Sequence, residues 1–192
     1  MPAPNPAALE FLLTRRSRPA KTLGLPVPDR AELRPLLLAA ARSPDHGKLE
    51  PWRFVVLERG ALERLAGLAA TRGAALGLPP GKVDKGVRQF ADAHLAVVVV
   101  AAPKPSDAIP EIEQHLSAGA VCLALLNAAL AAGWGANWLT GWAAHDAEFR
   151  AAGLGLAPEE FVAGIIHIGA ETSAPPERPR PDLDRIVTWA GE

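Results

Sequence analysis

Arg15-Arg16-Ser17-Arg18 sets three guanidiniums and a hydroxyl in four consecutive positions just before Pro19. Guanidinium offers planar, paired N–H donors and Ser17 adds another, a set suited to a doubly charged phosphate. About 25 residues later comes Arg42. The polar run Ser43-Pro44-Asp45-His46-Gly47-Lys48-Leu49-Glu50-Pro51-Trp52-Arg53-Phe54 then leads into a candidate strand. A phosphate cradle and a polar loop beside a sheet point to a phosphorylated aromatic cofactor. A plainer reading stays open, because cations at a helix C-terminus complement its dipole by about 0.3–1 kcal/mol each and are commonly solvated. Asp45-His46 likewise reads first as a local hydrogen-bonded turn. Trp52 fits a place beside a site and a place in the core equally well.

These residues need elements to hold them. Apolar spacing predicts a helix over 7–16 with Leu9, Leu12 and Leu13 on one stripe, ended by Pro19. Asp29 and Glu32 form a capping arrangement for a second helix that turns Leu33, Leu36, Leu37 and Ala40 inward. Pro35 predicts a kink or a later start in that helix, and Pro44 stops it. A strand is expected over 52–58, helices over 60–76 and 82–93, and a fully buried valine-rich strand over 95–102. A long helix runs from Pro110 to Gly133, followed by a short strand at 137–140, a small helix at 146–152 and a strand at 161–170. The proline-rich 175–181 segment reads as extended. The pattern is α+β: a sandwich of helices on a mainly antiparallel sheet, with a long central helix and an extended C-terminal tail. It forms one domain over 1–192, with no repeat or linker.

Composition removes several function classes. The chain has 192 residues, 49% of them hydrophobic, and a net charge of −1, so no basic field favours nucleic acid. Its one cysteine excludes an internal disulfide. Cys122, amid apolar neighbours, reads as a buried structural thiol. His94, His115, His145 and His167 lack ligand spacing, so no metal site is expected. The first residues lack the pattern of a signal peptide. Residues 116–134 carry no charge, but alanine inserts weakly into lipid, so they are expected to form a helix buried on most sides by protein. Gly133-Trp134-Gly135 follows a helix and lacks a third glycine, so it is no dinucleotide fingerprint.

The RRS run, followed by R-S-P-D-H-G-K-x-x-P-W-R-F and then by Asn137-Trp138-Leu139-Thr140-Gly141, resembles the nitroreductase family of FMN-dependent oxidoreductases. The likeness is to its short branch of NAD(P)H nitroreductases and extends over nearly the whole chain. It implies that Arg15, Arg16 and Ser17 hold the FMN phosphate and ribityl chain. It implies FMN contacts for Arg42 and His46, made mainly to the cofactor of the other subunit. Trp138, Leu139 and Thr140 match a stretch that contacts FMN. Where relatives can carry Arg-Ser, this chain has Leu139-Thr140, which keeps the hydroxyl and loses a charge. An edge-strand packing role for Trp138 remains open beside this. Ala128, Ala129, Leu130, Ala131, Ala132 and Gly133 match a stretch proposed to touch the nicotinamide nucleotide, though their chemistry reads as helix-end packing.

The resemblance thus implies a cytoplasmic homodimer with shared active sites, acting on small molecules. NADH or NADPH would serve as a transient co-substrate, with hydride passing through flavin to an electron-poor acceptor. No protein side chain is expected to act as catalytic acid, base or nucleophile, because the flavin carries the redox chemistry. The alternatives are a flavin enzyme of other chemistry on the same fold, a dehalogenase or flavin-fragmenting enzyme, and a non-catalytic flavin-binding protein.

Overall fold

A computed structural model describes residue 1 and residues 3–191. Its centre is β5 (Phe161–Glu171), an apolar strand that makes antiparallel pairs with three others. These are β3 (Ala96–Ala101), β4 (Gly135–Leu139) and the two-residue β1 (Leu23–Gly24). The edge strand β2 (Trp52–Leu57) completes the sheet by pairing with β3. All pairings are antiparallel. Every residue of β3 is buried, as its unbroken valines predict.

Strand alternation divides the core between two layers. Ala96, Val98 and Val100 face α3 (Arg59–Ala75), α4 (Pro80–Ala91), α6 (Trp142–His145) and α7 (Ala147–Leu154). Val97 and Val99 face α2 (Arg30–Ala40) and α5 (Glu111–Ala131). The expected helix–sheet sandwich is therefore the observed one. Bidentate pairs clamp its edges. Arg53 of β2 holds Glu160 at 2.6 and 2.7 Å, and Arg72 of α3 holds the α7 cap Asp146 at 2.9 and 3.1 Å.

Several local expectations are corrected. The first helix, α1 (Pro6–Thr14), stops before Arg15, whose backbone is already extended, so the arginine run follows the helix rather than ending it. Helix α2 does not start late: it begins at Arg30 and runs on through Pro35. Its Asp29–Glu32 capping box is fully formed and secures the first turn, while Leu33, Leu36 and Ala40 anchor the inner face on both sides of the proline. Leu37 is only half-buried. Helix α5 was expected to be buried on most sides. Its Val121, Cys122, Leu125 and Ala129 are buried, whereas Leu116 is 67% and Leu123 46% exposed. By length and composition α5 could cross a bilayer, yet it packs one face on α2, β3, β4 and β5. Elements β1, α6 and α8 (Leu183–Ile186) were not foreseen, being too short to carry a periodic signal.

Candidate cofactor site

The arginine run lies along the outer side of β4. The Arg18 N–H donates to the Ala136 carbonyl at 2.8 Å, and Asn137 Nδ2 donates to the Arg18 carbonyl at 2.6 Å. Within the run, Arg15 Nη2 donates to Ser17 Oγ at 2.9 Å and Arg16 Nη1 to the Ser17 carbonyl at 3.2 Å. These bonds turn a flexible polar segment into a fixed loop. They also join it to Ala136 and Asn137, the residues that precede Trp138, Leu139 and Thr140 on and beyond β4. Trp138 spreads its indole over Gly164, where a Cβ would overlap the ring and also press on the Cys122 sulfur at 2.9 Å. Gly164 is therefore what lets this half-exposed tryptophan lie flat on the sheet.

The C-terminal tail completes the cluster. The last residue of β5, Glu171, accepts from Arg18 at 3.1 Å, and Thr172 Oγ1 donates to the Thr22 carbonyl at 3.0 Å. Farther along, Arg180 pairs with Glu177 at 2.9 Å. Burial, then the charges of Arg180, Arg16 and Arg18, pull the Arg15 guanidinium below its usual pKa. Three guanidiniums of the run meet one carboxylate, Glu171, a surplus of two positive charges. The Nε atoms of Arg15 and Arg16 are buried with no partner. A phosphate monoester, with up to two negative charges near neutral pH and several acceptor oxygens, fits that surplus and those orphaned donors. The residues present therefore suit the phosphate end of FMN.

Sequence reasoning missed the links of Glu171 and Asn137 to the run and left open whether the C-terminal arginines contact the cofactor phosphate.

The second group lies elsewhere in the chain. His46 Nδ1 is 2.6 Å from Glu113 in the first turn of α5. The backbone around it is unusual, with positive φ at Gly47 (72°), Lys48 (56°) and Glu50 (48°). Asp45 Oδ2 accepts from the Glu50 N–H at 2.6 Å and secures that path. Ser117 Oγ donates to the Pro44 carbonyl at 2.7 Å and accepts from Trp52 Nε1 at 3.2 Å, tying loop, strand and helix together. Arg42 is exposed. Among the described residues, no hydrogen bond or ion pair joins Arg42 or His46 to the arginine run. Ala128 to Gly133 form the last turn of α5 and its left-handed stop. Gly133, with φ 85°, lets the Trp134 N–H return to the Ala129 carbonyl at 3.0 Å.

Burial pushes the Cys122 thiol up to about 12, as an inert structural cysteine requires. No group of three or more potential metal ligands occurs among the described residues.

Comparison with known proteins bears on this geometry. The sequence model described as "Nitroreductase family" matches residues 14–170. The chain is 32% identical over 183 residues to the Escherichia coli (strain K12) protein named "Putative NAD(P)H nitroreductase YdjA", covering 95% of this chain and 98% of the relative. In three dimensions it resembles a nitroreductase-like family protein from Bacillus cereus, with TM-score 0.75, 22% identity, and coverage of 99% and 98% of the two chains. A nitroreductase from Desulfovibrio desulfuricans, described as putative and solved in complex with FMN, superposes with TM-score 0.74, 22% identity, and coverage of 98% and 99%.

Proposed function

Because this chain belongs to the nitroreductase family, we propose that it is a single FMN-binding domain that oxidises NADH or NADPH and reduces a small electron-poor acceptor. It is an oxidoreductase enzyme with FMN as cofactor. The observation that carries the site reading is the arginine run, pinned by backbone hydrogen bonds to β4 and left with unpartnered guanidinium nitrogens. When bound, FMN supplies the redox chemistry, accepting hydride from the nicotinamide nucleotide and passing electrons to the acceptor.

The chain's own residues bind and orient. Arg15 and Arg16 take the phosphate, while Ser17 orders both guanidiniums and remains within reach of the ribityl chain. Trp138, Leu139 and Thr140 flank the ring and ribityl hydroxyls, with Leu139 limited to backbone contacts. The last turn of α5, Ala128 to Gly133, offers the nicotinamide nucleotide only a small-residue surface.

We further infer a cytoplasmic homodimer with shared sites. Two observations support the dimer. Leu9, Leu12 and Leu13 on α1, with Leu116 and Leu123 on α5, leave an apolar surface uncovered in the single chain. His46 and Arg42 have no link to the arginine run of their own chain, so a two-fold partner would present them to the second flavin. The far tail, with Trp189 at 92% exposure, has apolar side chains that suit a partner's surface.

An absorbance spectrum of purified protein, with heat release and chromatography of the flavin, tests the cofactor. FMN is expected, and FAD, or no flavin after reconstitution, would refute the site. Turnover of NADH or NADPH with a nitroaromatic or quinone acceptor separates an enzyme from a flavin carrier.

A further inference from the structure

Gln114, near the start of α5, is a polar side chain buried to 4% exposure. Both ends of its amide are used. Oε1 accepts from the Lys104 N–H at 2.7 Å, and Nε2 donates to the Lys104 carbonyl at 2.9 Å. A side-chain amide carries the same donor and acceptor as a peptide, so Gln114 stands in for a neighbouring strand where the chain has left β3. Lys104 opens the segment 104–109, which contains no helix or strand. The far end of that segment is fixed as well. The Ile109 N–H donates to Ser106 Oγ at 3.1 Å, and the buried Ile109 side chain lies against Gly47. A Cβ at Gly47 would overlap the end of that side chain. Gly47, with φ 72°, is the left-handed residue directly after His46.

We propose that Gln114 is a positioning residue for His46: by fixing residues 104–109 it seats Ile109 on Gly47, and so sets the turn that presents the imidazole to the flavin of the partner subunit. This rests on the shared-site reading of His46 and goes beyond it by naming the buried group that holds the imidazole in place.

The turn needs such support. Glycine takes positive and negative φ about equally, so Gly47 does not by itself choose this path. Lys48 and Glu50 follow at φ 56° and 48°, which their side chains disfavour. The bond from the Glu50 N–H to Asp45 closes the loop from within, and Ile109 braces it from outside. His46 itself is held only by Glu113, and its side chain is still 63% exposed. An exposed pair of this kind contributes little to fixing a ring. Glu113, Gln114 and Ser117 thus anchor the loop together from α5. Glu113 acts on His46 and Ser117 on Pro44 directly, and Gln114 acts through Ile109.

Titration of the full-length, flavin-stripped protein with FMN, followed by flavin fluorescence, tests the proposal as a double-mutant cycle. His46→Ala is expected to weaken FMN binding about five- to ten-fold, the scale of one hydrogen bond. Gln114→Met keeps the bulk of the side chain but removes both bonds to Lys104, and a loss of about three- to five-fold is expected. Ile109→Ala, which empties the space against Gly47, should give a similar loss. In the His46→Ala background both losses should vanish, because no imidazole is left to place. Urea titration of each variant without flavin shows that it folds. Losses that persist in full without His46 assign Gln114 a general structural role and overturn the proposal, and so does a Gln114→Met protein that binds FMN like the wild type. If Gln114→Met does not fold, the Ile109→Ala cycle decides by the same criterion. His46→Ala protein that binds FMN as tightly as the wild type overturns the shared-site reading itself, and the positioning role with it.

Discussion

Strand β3 is apolar over its whole length and helix α5 over most of its length beyond a charged first turn, but their surroundings differ. β3 is enclosed by β2, β5 and two helical layers, and none of its six residues reaches solvent. α5 buries one face against the sheet and leaves Leu116 and Leu123 outward. The strand's hydrophobicity is consumed within the chain. The helix carries more than its own fold covers. The same contrast separates polar regions. His46 and Asp45 have partners within the chain, whereas Arg15 and Arg16 keep buried Nε donors unpaired. The flavin and partner contacts proposed above fall where interaction is left unmet, apolar on α1 and α5 and polar on the arginine run.

The interior side of that contrast is tested by Ile166→Ala. Ile166 is fully buried on β5 opposite Trp138, so its truncation should lower the unfolding free energy by about 2–5 kcal/mol in urea titrations. A loss as small as that of a surface substitution would mean the sheet centre is not closely packed.

Acid should act on the same interior. Burial lowers the His167 pKa from 6.5 to about 4, and its Nε2 has no partner. In this window the unfolded chain binds a proton that the folded chain refuses. Stability should therefore be complete above about pH 6.5 and fall as the pH drops toward about 4. The loss is on the order of 3 kcal/mol at about 1.4 kcal/mol per pH unit. Asp146 and Glu160, held below the usual carboxylate range chiefly by hydrogen bonds from Arg72 and Arg53, add their losses only at the acid end, from about pH 4.5 downward for Glu160 and 3.8 for Asp146. Urea midpoints measured from pH 7 to 4 should show the slope, and His167→Gln should flatten it. An unchanged slope in the variant would assign it to other groups.

The unpaired donors of the arginine run predict unequal roles for neighbours. Arg16→Ala should weaken FMN retention by about 1.5–3 kcal/mol, measured by flavin titration. Arg18→Ala should matter less, because Arg18 already pairs with Glu171. Equal losses would favour a diffuse electrostatic patch over specific contacts.

The smallest effect on the single chain should come from the outer face of α5. Leu123→Glu is expected to change the folding of one subunit by no more than about 0.5 kcal/mol. It should nevertheless shift the homodimer proposed above toward monomer in sedimentation. A variant that unfolds instead would place Leu123 in the core, and one that stays dimeric would move the interface off α5.

The elements with long, regular signals were legible before any coordinates. The valine run of β3, the Asp29–Glu32 cap and the long α5 all rest on local rules, and each formed near its expected bounds. Errors arose where neighbours overrode local rules. Pro35 removes one helical hydrogen bond, yet the formed cap and the buried leucines on both sides keep α2 continuous. Apolar periodicity placed a stripe on α1 but not what the stripe faces. Leu9, Leu12 and Leu13 are exposed, left uncovered by the described residues of the same chain.

Composition and short-range pattern alone carried the fold class, the buried strand, the inert cysteine and the likeness of the arginine run to a phosphate cradle, because each depends on residues close together along the chain. Distance along the chain hid the rest. Asn137 meets Arg18 across 119 positions, and Trp52 meets Ser117 across 65. No local spacing encodes such meetings. They follow from how β4 and β5 pair and where the tail leaves the sheet, and packing of the whole chain sets both.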